Sequence, residues 1–597
     1  MAGFVFFATQ GNDRVVPEMS AAIERLAPEG FCEIQGECSG PAGKIAWHHG
    51  EVAPFEHYDG EAGTVLLWGD AIAYDNDSYL TAAEVHRLIA GQATTEGEEA
   101  LSRYSGLFAW IFLSRDGCLI AGVDSFGFFP LYYFQEGEAF GIATSLTALR
   151  QHPEYCSDVD PVGILRYAIQ NGSTGTRTLE HSGRRLATAC SIRYDSQNKR
   201  FDLNKHRLPG PRAGKKTQPE EKAILQSVEA TRRAVERHVQ RPPDHALLSG
   251  GLDSRHMLAL AHEAGIRPLC GTGGIKSDYE SMFASSVAKR LGLEWCYQED
   301  SVEALEEGIR NELRLHWLGG GFSTVSLNAG AALSRRLGKR SLGGLVLDNH
   351  YSPAGSFRVG RNLNNFDFAL KKWINQAGID PQTLRRMCVN SSMRDALEVA
   401  MGEIREEWDA FEGTGFDRTW KMLMHFRARP HLGTHAWKQS FYTWPVLPSV
   451  DLPMAESIRS IADRHFINRK LQRLTLQRIA PELARIPLAT FSHSPEPITP
   501  NIAATLQRKY LSLRARMRGS RRDEYHRFHR AMHLDQPAWR KVREYAEPHR
   551  ESLHQFFDSA KLDTYLPKPS VTTSIKAGGG HRFICGMMLW NAVRAEQ

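Results

Sequence analysis

Short apolar segments, separated by glycine and other turn-forming residues, dominate the first third of the chain. Segments of this length and composition are typical of strands, and together they favour a mostly antiparallel sheet. The pattern therefore predicts a β-rich domain over residues 1–202. Its strands are predicted at Phe4–Ala8, Thr64–Trp68, Leu107–Leu113, Leu119–Val123, Leu131–Phe134 and Ala139–Thr144.

The pattern changes after residues 203–222, a charged stretch rich in proline and glycine that predicts a linker. From residue 223 apolar residues recur at helical spacing, and short apolar segments then alternate with helical ones. Such alternation favours a parallel sheet covered on both faces. The second predicted domain spans 223–597, with strands at 245–248, 268–272, 294–298 and 343–347 and a mainly helical extension beyond residue 365.

Composition places the chain among soluble globular proteins of two or three domains, with 597 residues, 42% apolar and 24% charged. There is no apolar run of about 20 residues, so we expect no membrane span. The N-terminus lacks the basic region of a signal peptide. The nine cysteines contain no Cys-x-x-Cys pair, and their odd number argues against a disulfide framework. A cytoplasmic location is the expectation.

The distribution of charge along the chain indicates one further feature, a basic stretch near the C-terminus. The net charge of +5 is too small to indicate a nucleic-acid partner, but the C-terminal part is locally basic between Arg508 and Arg530. This cluster accompanies a helical stripe of Tyr510, Leu511, Leu513 and Met517. Two interpretations stay open, a solvated helix face and a docking surface for an acidic peptide or partner protein.

The candidate chemistry begins at Ser249-Gly-Gly-Leu-Asp-Ser254, which lies between a predicted strand and a predicted helix. Adjacent glycines allow the backbone to approach an anion, and a helix N-terminus offers N–H groups and a positive dipole. Asp253 adds a carboxylate that suits a magnesium ion beside a phosphate. No Gly-Lys-Ser/Thr follows, which excludes a Walker loop. The segment predicts a site for the pyrophosphate of ATP, comprising Leu248, Ser249, Gly250, Gly251, Leu252, Asp253 and Ser254.

Neighbouring strand ends should contribute to the same site, because ligands bind at the carboxyl edge of open parallel sheets. The segment Gly271–Glu280 contains Thr272 and glycines that could admit the adenine or ribose, whereas Asp278 and Glu280 could equally be helix caps. Gly344 and Asp348 follow another predicted strand. Asp253 and Asp348 together are the predicted magnesium ligands.

These motifs resemble those of the ATP pyrophosphatases and, across nearly the whole chain, of the asparagine synthetase superfamily. Tyr104-Ser-Gly-Leu-Phe-Ala-Trp, Val123-Asp-Ser-Phe-Gly-Phe-Phe-Pro-Leu-Tyr-Tyr133 and Ala143-Thr-Ser-Leu-Thr-Ala-Leu149 are similar to segments of its N-terminal domain. The resemblance implies an α/β protein with an N-terminal glutamine-amidotransferase-like α+β domain of the Ntn type. An ATP-pyrophosphatase-like synthetase domain with a parallel sheet and a helical extension would follow.

The departures from the family are informative. Family glutaminases use an N-terminal cysteine, exposed by removal of the initiator methionine, where this chain has Ala2. The family's Asn-Gly-Glu segment is Trp68-Gly-Asp-Ala71 here. Since the reaction needs a thiolate, we expect no glutamine hydrolysis.

The synthetase half also departs from the family. Gly344-Leu-Val-Leu-Asp-Asn349 keeps the family's aspartate but not its glutamate, and Ser440–Pro448 has drifted. The helix Lys470–Glu482 still resembles the family helix whose lysine stabilises charge in the transition state. An ungapped match puts Arg469 at that position and Lys470 one residue later. The resemblance therefore implies that one of these two is the catalytic cation.

Family members without the cysteine include β-lactam synthetases and lasso-peptide cyclases, in which an amine of the substrate attacks its own adenylated carboxylate. The extra helical length and the basic surface favour a peptide substrate. The resemblance then implies a lasso-peptide cyclase that uses ATP and Mg²⁺ to close a macrolactam in a precursor (core) peptide. Its expected partners are a leader-recognition protein and a leader peptidase. The alternatives are a β-lactam-synthetase-like enzyme, an ammonia-dependent asparagine synthetase and a non-catalytic scaffold for a precursor peptide.

Overall fold

The computed structural model describes most of the chain. The residues that it leaves undescribed are 1, 10–18, 28–33, 92–93, 174, 207–217, 275, 277, 300–301, 303–304, 317–332, 334–335, 352–363, 414, 490–496, 500–501, 518–532 and 596–597.

Two six-stranded antiparallel sheets form the N-terminal part of the chain, where the apolar segments predict antiparallel strands but not their division into two sheets. In the first the strand order is β10-β8-β9-β1-β3-β2, and in the second β12-β11-β7-β6-β5-β4. The strands are β1 Ala2–Ala8, β2 Ile34–Gly40, β3 Gly43–His49, β4 Phe55–Asp59, β5 Gly63–Ala73, β6 Tyr104–Ser114, β7 Cys118–Val123, β8 Tyr132–Glu136, β9 Ala139–Ala143, β10 Arg184–Arg185, β11 Cys190–Asp195 and β12 Arg200–Lys205.

Alternation along the strands fixes how these sheets stack. On β1, Phe4 and Phe6 face a core between the two sheets, whereas Val5 and Phe7 face a second core beneath helices. Because successive side chains point to opposite faces, a strand buried on both sides appears as the continuous apolar run seen in the sequence. Helices cover the outer faces: α1 Met19–Ile23, α2 Ala82–Gly91, α3 Thr94–Leu101, α4 Leu146–Leu149 and α5 Pro161–Gln170.

A five-stranded sheet forms the centre of the C-terminal part, in the order β15-β14-β13-β16-β17 with every pair parallel. Its strands are β13 His245–Leu247, β14 Leu269–Gly274, β15 Trp295–Glu299, β16 Arg340–Leu342 and β17 Trp444–Val446. The sequence therefore predicted the parallel sheet, and it missed β17. The order runs outward from β13 in both directions, so the direction of strand addition reverses between β13 and β16. In open parallel sheets ligands bind at this reversal.

The predicted strand at 343–347 is wrong. The strand ends at Leu342, and Leu347–Tyr351 is a short helix, α10, preceded by Val346 with a φ of 73°. A left-handed φ is rare for a β-branched residue and marks a strained turn. Gly344 explains the early end, because a Cβ there would lie 2.6 Å from the amide nitrogen of Ser254. The chain leaves the sheet at this point to pass the start of another helix.

Helices form most of the remaining chain, as predicted for the region beyond residue 365. Before it lie α6 Glu220–His238, α7 Leu252–Glu263, α8 Tyr279–Arg290 and α9 Leu305–His316. Beyond it lie α11 Phe366–Lys372, α12 Pro381–Met387, α13 Ser391–Asp409, α14 Phe416–Leu423, α15 Thr434–Gln439, α16 Leu452–Arg459, α17 Lys470–Ile479, α18 Pro481–Ala484, α19 Ile502–Met517, α20 Pro537–Ala546, α21 Ser559–Tyr565 and α22 Gly579–Ala595.

The two parts of the chain share their cores. Ile164 on α5 and Ile404 on α13 belong to one apolar cluster, and Phe126 and Trp420 belong to another. Strand β12 extends to Lys205 and α6 starts at Glu220, while 207–217 of the predicted linker lie outside the described residues. None of the helices that the structure describes is both long and apolar enough to cross a bilayer.

Candidate functional site

Three loops meet at the carboxyl edge of the parallel sheet, where the strand order reverses. They follow β13, β14 and β16 and contain the Ser249–Ser254 segment, the residues before α8, and the Gly343–Gly344 turn. Gly344 packs against the start of α7, where a Cβ on this glycine would lie 2.7 Å from the carbonyl carbon of Asp253. The sequence elements predicted to form one site are therefore adjacent in space.

Helix α7 begins at this site without a side-chain cap. Gly251 occupies its N-cap position and provides no capping hydrogen bond. The first N–H groups of a helix have no partner within the helix and carry partial positive charge. Since a side chain at position 344 would collide with this backbone, Gly344 allows the loop after β16 to pack directly against the helix start.

Asp253 is the centre of the polar contacts at the start of α7. Its Oδ1 accepts hydrogen bonds from Arg469 Nη2 at 2.5 Å and from Gln472 Nε2 at 2.7 Å. Arg469 also donates to Gln472 Oε1, at 2.8 Å from Nε. Gln472 is a site residue that the sequence analysis missed, because an isolated glutamine three residues along a helix has no distinctive pattern.

Burial raises the pKa of the Asp253 carboxyl, and repulsion from the Asp348 carboxylate adds to the shift, although Arg469 and the Gln472 hydrogen bond oppose it. The two predicted magnesium ligands are thus close enough to interact electrostatically. Asp348 lies in the first turn of α10, beyond the strained turn at Val346, rather than at a strand end. A pair of mutually repelling carboxylates is a setting in which a divalent cation is stabilising.

The two predicted catalytic cations are separated by the backbone. Arg469 has a left-handed φ of 58° at the N-cap of α17, which directs its side chain to Asp253. Lys470 instead pairs with Glu220 at the surface, and its side chain is 53% exposed. The structure brings only Arg469 to the loop.

An internal carboxylate already occupies one donor of the predicted phosphate cradle. Glu280 Oε2 accepts a hydrogen bond from Gly250 N–H at 2.9 Å. The neighbouring amides bind hydroxyls of the same segment, Ser249 N–H to Ser254 Oγ and Gly251 N–H to Ser249 Oγ, both at 3.1 Å. Glu280 therefore contacts the Ser249–Ser254 segment in addition to lying in the first turn of α8. An anion that binds Gly250 N–H must displace the Glu280 carboxylate.

The segment is held from behind by Arg255, which is fully buried. Its guanidinium donates to the carbonyl of Gly250 at 3.2 Å and to the carbonyls of Ile486 and Pro487 at 2.6 and 2.9 Å. Ala489 N–H donates to the same Gly250 carbonyl at 3.1 Å. The contacts with Ile486, Pro487 and Ala489 join residues more than 200 positions apart, so no local pattern in the sequence predicts them.

Thr272 and Leu248 lie behind the loop. The Thr272 hydroxyl donates to the Leu248 carbonyl at 2.8 Å and accepts from Trp295 Nε1 at 2.9 Å, and Thr272 is only 3% exposed. Its polar group is thereby engaged within the protein. The contacts make Thr272 a residue that positions the end of β13.

The residues present fit a magnesium nucleotide. Arg469 and Gln472 both bind Oδ1 of Asp253, so Oδ2 is the oxygen that a metal would take. Among the described residues no group of three or more His, Cys, Asp or Glu is arranged to hold a metal. A magnesium ion here would therefore need phosphate oxygens to complete its coordination.

In both parts of the chain, none of the described cysteines with a shifted pKa is an activated thiol. Ala2 begins β1 opposite His49. Burial raises the pKa of seven thiols, which disfavours the nucleophilic thiolate form: Cys38, Cys118, Cys190, Cys270, Cys296, Cys388 and Cys585.

Asp70, in the segment that departs from the family's glutamine-binding sequence, contacts the C-terminal part. Its carboxylate pairs with Arg241 at 2.8 Å and with Arg340 at 2.6 Å. Because Arg340 lies on β16, this acid connects the two parts of the chain. Its contacts are those of a structural residue.

Comparison with known proteins supports the nature of the N-terminal part. Residues 72–205 match the family described as the glutamine amidotransferase domain, so this region is glutamine-amidotransferase-like. No curated protein matches the chain.

Two solved structures are similar to it. The glutamine phosphoribosylpyrophosphate amidotransferase from B. subtilis, in complex with ADP and GMP, is 9% identical over 51% of this chain and 92% of that one, with a TM-score of 0.25. The allosteric regulatory enzyme of purine biosynthesis is 11% identical over 50% of this chain and 80% of that one, also with a TM-score of 0.25. Similarities this low carry no argument about fold or chemistry.

Proposed function

We propose that the chain is an ATP-dependent ligase that forms an amide bond within one peptide substrate, as a macrolactam-forming cyclase of the lasso-peptide type. The observation that carries the proposal is the meeting of the Ser249–Ser254 segment, the Asp253–Asp348 pair and Arg469 where the strand order reverses. An uncapped helix start, two carboxylates and a cation are the groups that an adenylating site needs.

In the proposed reaction a side-chain carboxylate oxygen of the peptide attacks the α-phosphorus of ATP, and pyrophosphate leaves. The N-terminal amine of the same peptide then attacks the acyl carbon, loses a proton, and AMP leaves with the carboxylate oxygen. A magnesium ion held by Asp253 and Asp348 would neutralise charge on the phosphates. Arg469 would stabilise the charge that develops during both displacements.

Two features support an amine brought by the substrate itself. Ala2 and the raised thiol pKa values argue against ammonia release from glutamine within the chain. The contacts of Asp70 with Arg241 and Arg340 support a structural role for the amidotransferase-like part. Holding both reacting groups of one peptide in place would remove about 7–11 kcal/mol of the barrier in a well-oriented case.

Oxygen labelling tests the proposal. A candidate precursor peptide whose Asp and Glu carboxylates carry ¹⁸O is incubated with the protein, ATP and Mg²⁺. We expect a peptide lighter by one labelled water and AMP that contains one ¹⁸O. Unlabelled AMP would contradict carboxylate adenylation, and amidation that requires added ammonium would favour the asparagine synthetase alternative.

A further inference from the structure

Helix α19, Ile502–Met517, carries an exposed apolar stripe that the proposed reaction does not use. Of the thirteen large apolar side chains that are exposed in the described part of the chain, five lie on this one helix. They are between 58% and 81% exposed: Ile502, Leu506, Tyr510, Leu513 and Met517. A concentration of this kind marks an interaction surface rather than scattered surface residues.

The spacing of these residues defines the shape of the surface. At 100° per residue the five positions fall within an arc of about 80°. This arc is narrower than the stripe of a helix that packs on a globular core, and it matches the seam of a coiled coil. From Leu506 to Met517 the steps are four, three and four residues, as at successive d and a positions.

Charge specifies the partner further. The helix contains no acidic residue, and its sequence includes four cations. Lys509 and Arg514 are both exposed, and helical geometry places one on each side of the stripe. With Tyr510 at an a position they occupy the flanking g and e positions, where charges select the partner helix.

We propose that α19 is a docking helix for an acidic amphipathic helix of a partner protein or peptide. Its apolar seam would pack on the 506–517 seam, and its acidic flanking positions would face Lys509 and Arg514. A second copy of this chain is disfavoured because pairing two such helices brings like charges together with no acid to compensate. Binding to a lipid surface is the alternative that the vesicle experiment below separates from peptide binding.

Binding of designed peptides to the full chain tests this surface. The probe is a fluorescent helical peptide of about four heptads with Leu at a and d and Glu at e and g, and its matched control has Lys at e and g. We expect anisotropy to show binding of the acidic peptide at least about tenfold tighter than the basic one. In the double variant Lys509→Glu/Arg514→Glu the preference should reverse, and equal binding of both peptides would overturn the proposal.

Further variants separate the other occupants. Leu506→Glu/Leu513→Glu should weaken acidic-peptide binding at least about tenfold without lowering the Tm, since both side chains are exposed. The proposal would be overturned in favour of a lipid surface if the wild type cosediments with phosphatidylglycerol vesicles but does not bind the peptide, and if this variant no longer cosediments. Self-association that the variant abolishes would overturn it in favour of a second copy. Asp253→Ala should bind the acidic peptide as tightly as the wild type does. The peptide-binding test therefore does not depend on whether the proposed ATP reaction occurs.

Discussion

At the scale of single residues, we expect Arg469 rather than Lys470 to be the functional cation. Arg469→Ala removes the charge beside Asp253, and we expect kcat for pyrophosphate release to fall by about 10²–10³. Arg469→Lys should recover part of the loss. The matched control is Lys470→Ala, which removes only a surface pair with Glu220. This variant should lower the free energy of unfolding by at most about 1 kcal/mol. A large loss for Lys470→Ala with normal activity for Arg469→Ala would reverse the assignment.

Glu280 is expected to compete with the nucleotide for Gly250 N–H. Hydrogen bonds to a charged acceptor are roughly 1 kcal/mol stronger than neutral ones, so Glu280→Gln should tighten ATP binding about fivefold. Titration calorimetry with Mg²⁺ and ATP measures this change. Weaker binding in the variant would mean that Glu280 contributes to holding the metal or the nucleotide instead.

We expect the raised pKa of Asp253 to determine the acidic limb of the pH profile. Protonation removes the charge that a magnesium ion needs, so kcat/KM should decline with falling pH at values above the ordinary range of an aspartate. A bound cation favours the ionised form, so raising the Mg²⁺ concentration should shift this limb to lower pH. Profiles of kcat/KM against pH at low and at saturating Mg²⁺ test this expectation. An acidic limb that does not shift with Mg²⁺ would show that Asp253 does not bind the metal.

Much of this site could be predicted from the sequence, because a glycine pair, a following aspartate and a strand–helix pattern are local features. Gln472, Glu280 and Arg255 could not, since each acts through a contact with another segment of the chain. The side chains of the adjacent residues Arg469 and Lys470 point in different directions because of the local backbone conformation. The left-handed φ of Arg469 turns its side chain away from that of Lys470, and no sequence periodicity encodes that turn.

At the scale of elements, α5 and α13 join the two parts of the chain through a buried charge network. Arg166, which is 1% exposed, pairs with Glu403 at 2.9 Å and with Glu407 at 2.6 Å. Burial alone would raise the pKa of Glu407, but hydrogen bonds from His425 and Arg166 and their charges outweigh it and lower the pKa to about 2. An ionised Glu407 therefore stabilises the packing of these helices.

Glu407→Gln should lower the free energy of unfolding by about 1–3 kcal/mol at neutral pH. Because the folded pKa lies below the ordinary value of 4.5, the stabilisation is complete above that value and is lost as the pH falls through about 2. The difference between wild type and variant in urea unfolding should therefore be smaller at pH 3 than at pH 7. A difference that does not depend on pH would show that charge is not its origin.

Secondary-structure elements were predicted well where the apolar residues followed a clear strand or helix pattern. They were predicted poorly where tertiary packing determined the local structure. Strands β1, β5, β6 and β7 appeared in the sequence as apolar runs, with ends off by a few residues. Strand β17 was missed because its three residues, Trp444–Val446, form too short an apolar segment within a helical region. The strand predicted at 343–347 failed because Gly344 must pass the start of α7.

At the scale of the whole molecule, the amidotransferase-like part and the parallel sheet form one packed body. Their shared apolar clusters and the Asp70–Arg340 pair give the first part a structural role in this body. Composition and alternation predicted antiparallel strands in the first part and a parallel sheet in the second, but they indicate neither the two stacked sheets of the first part nor the shared cores. The shared cores depend on contacts between residues hundreds of positions apart.

The most direct test of the central claim is the identity of the nucleotide product. ATP labelled at its α-phosphate is incubated with Mg²⁺ and a candidate precursor peptide, and labelled AMP and ADP are quantified for the wild type and for Asp253→Ala. We expect one AMP and one pyrophosphate for each peptide that loses water, and no AMP from Asp253→Ala. Peptide-dependent formation of ADP and phosphate, or AMP formation unchanged in Asp253→Ala, would contradict that claim.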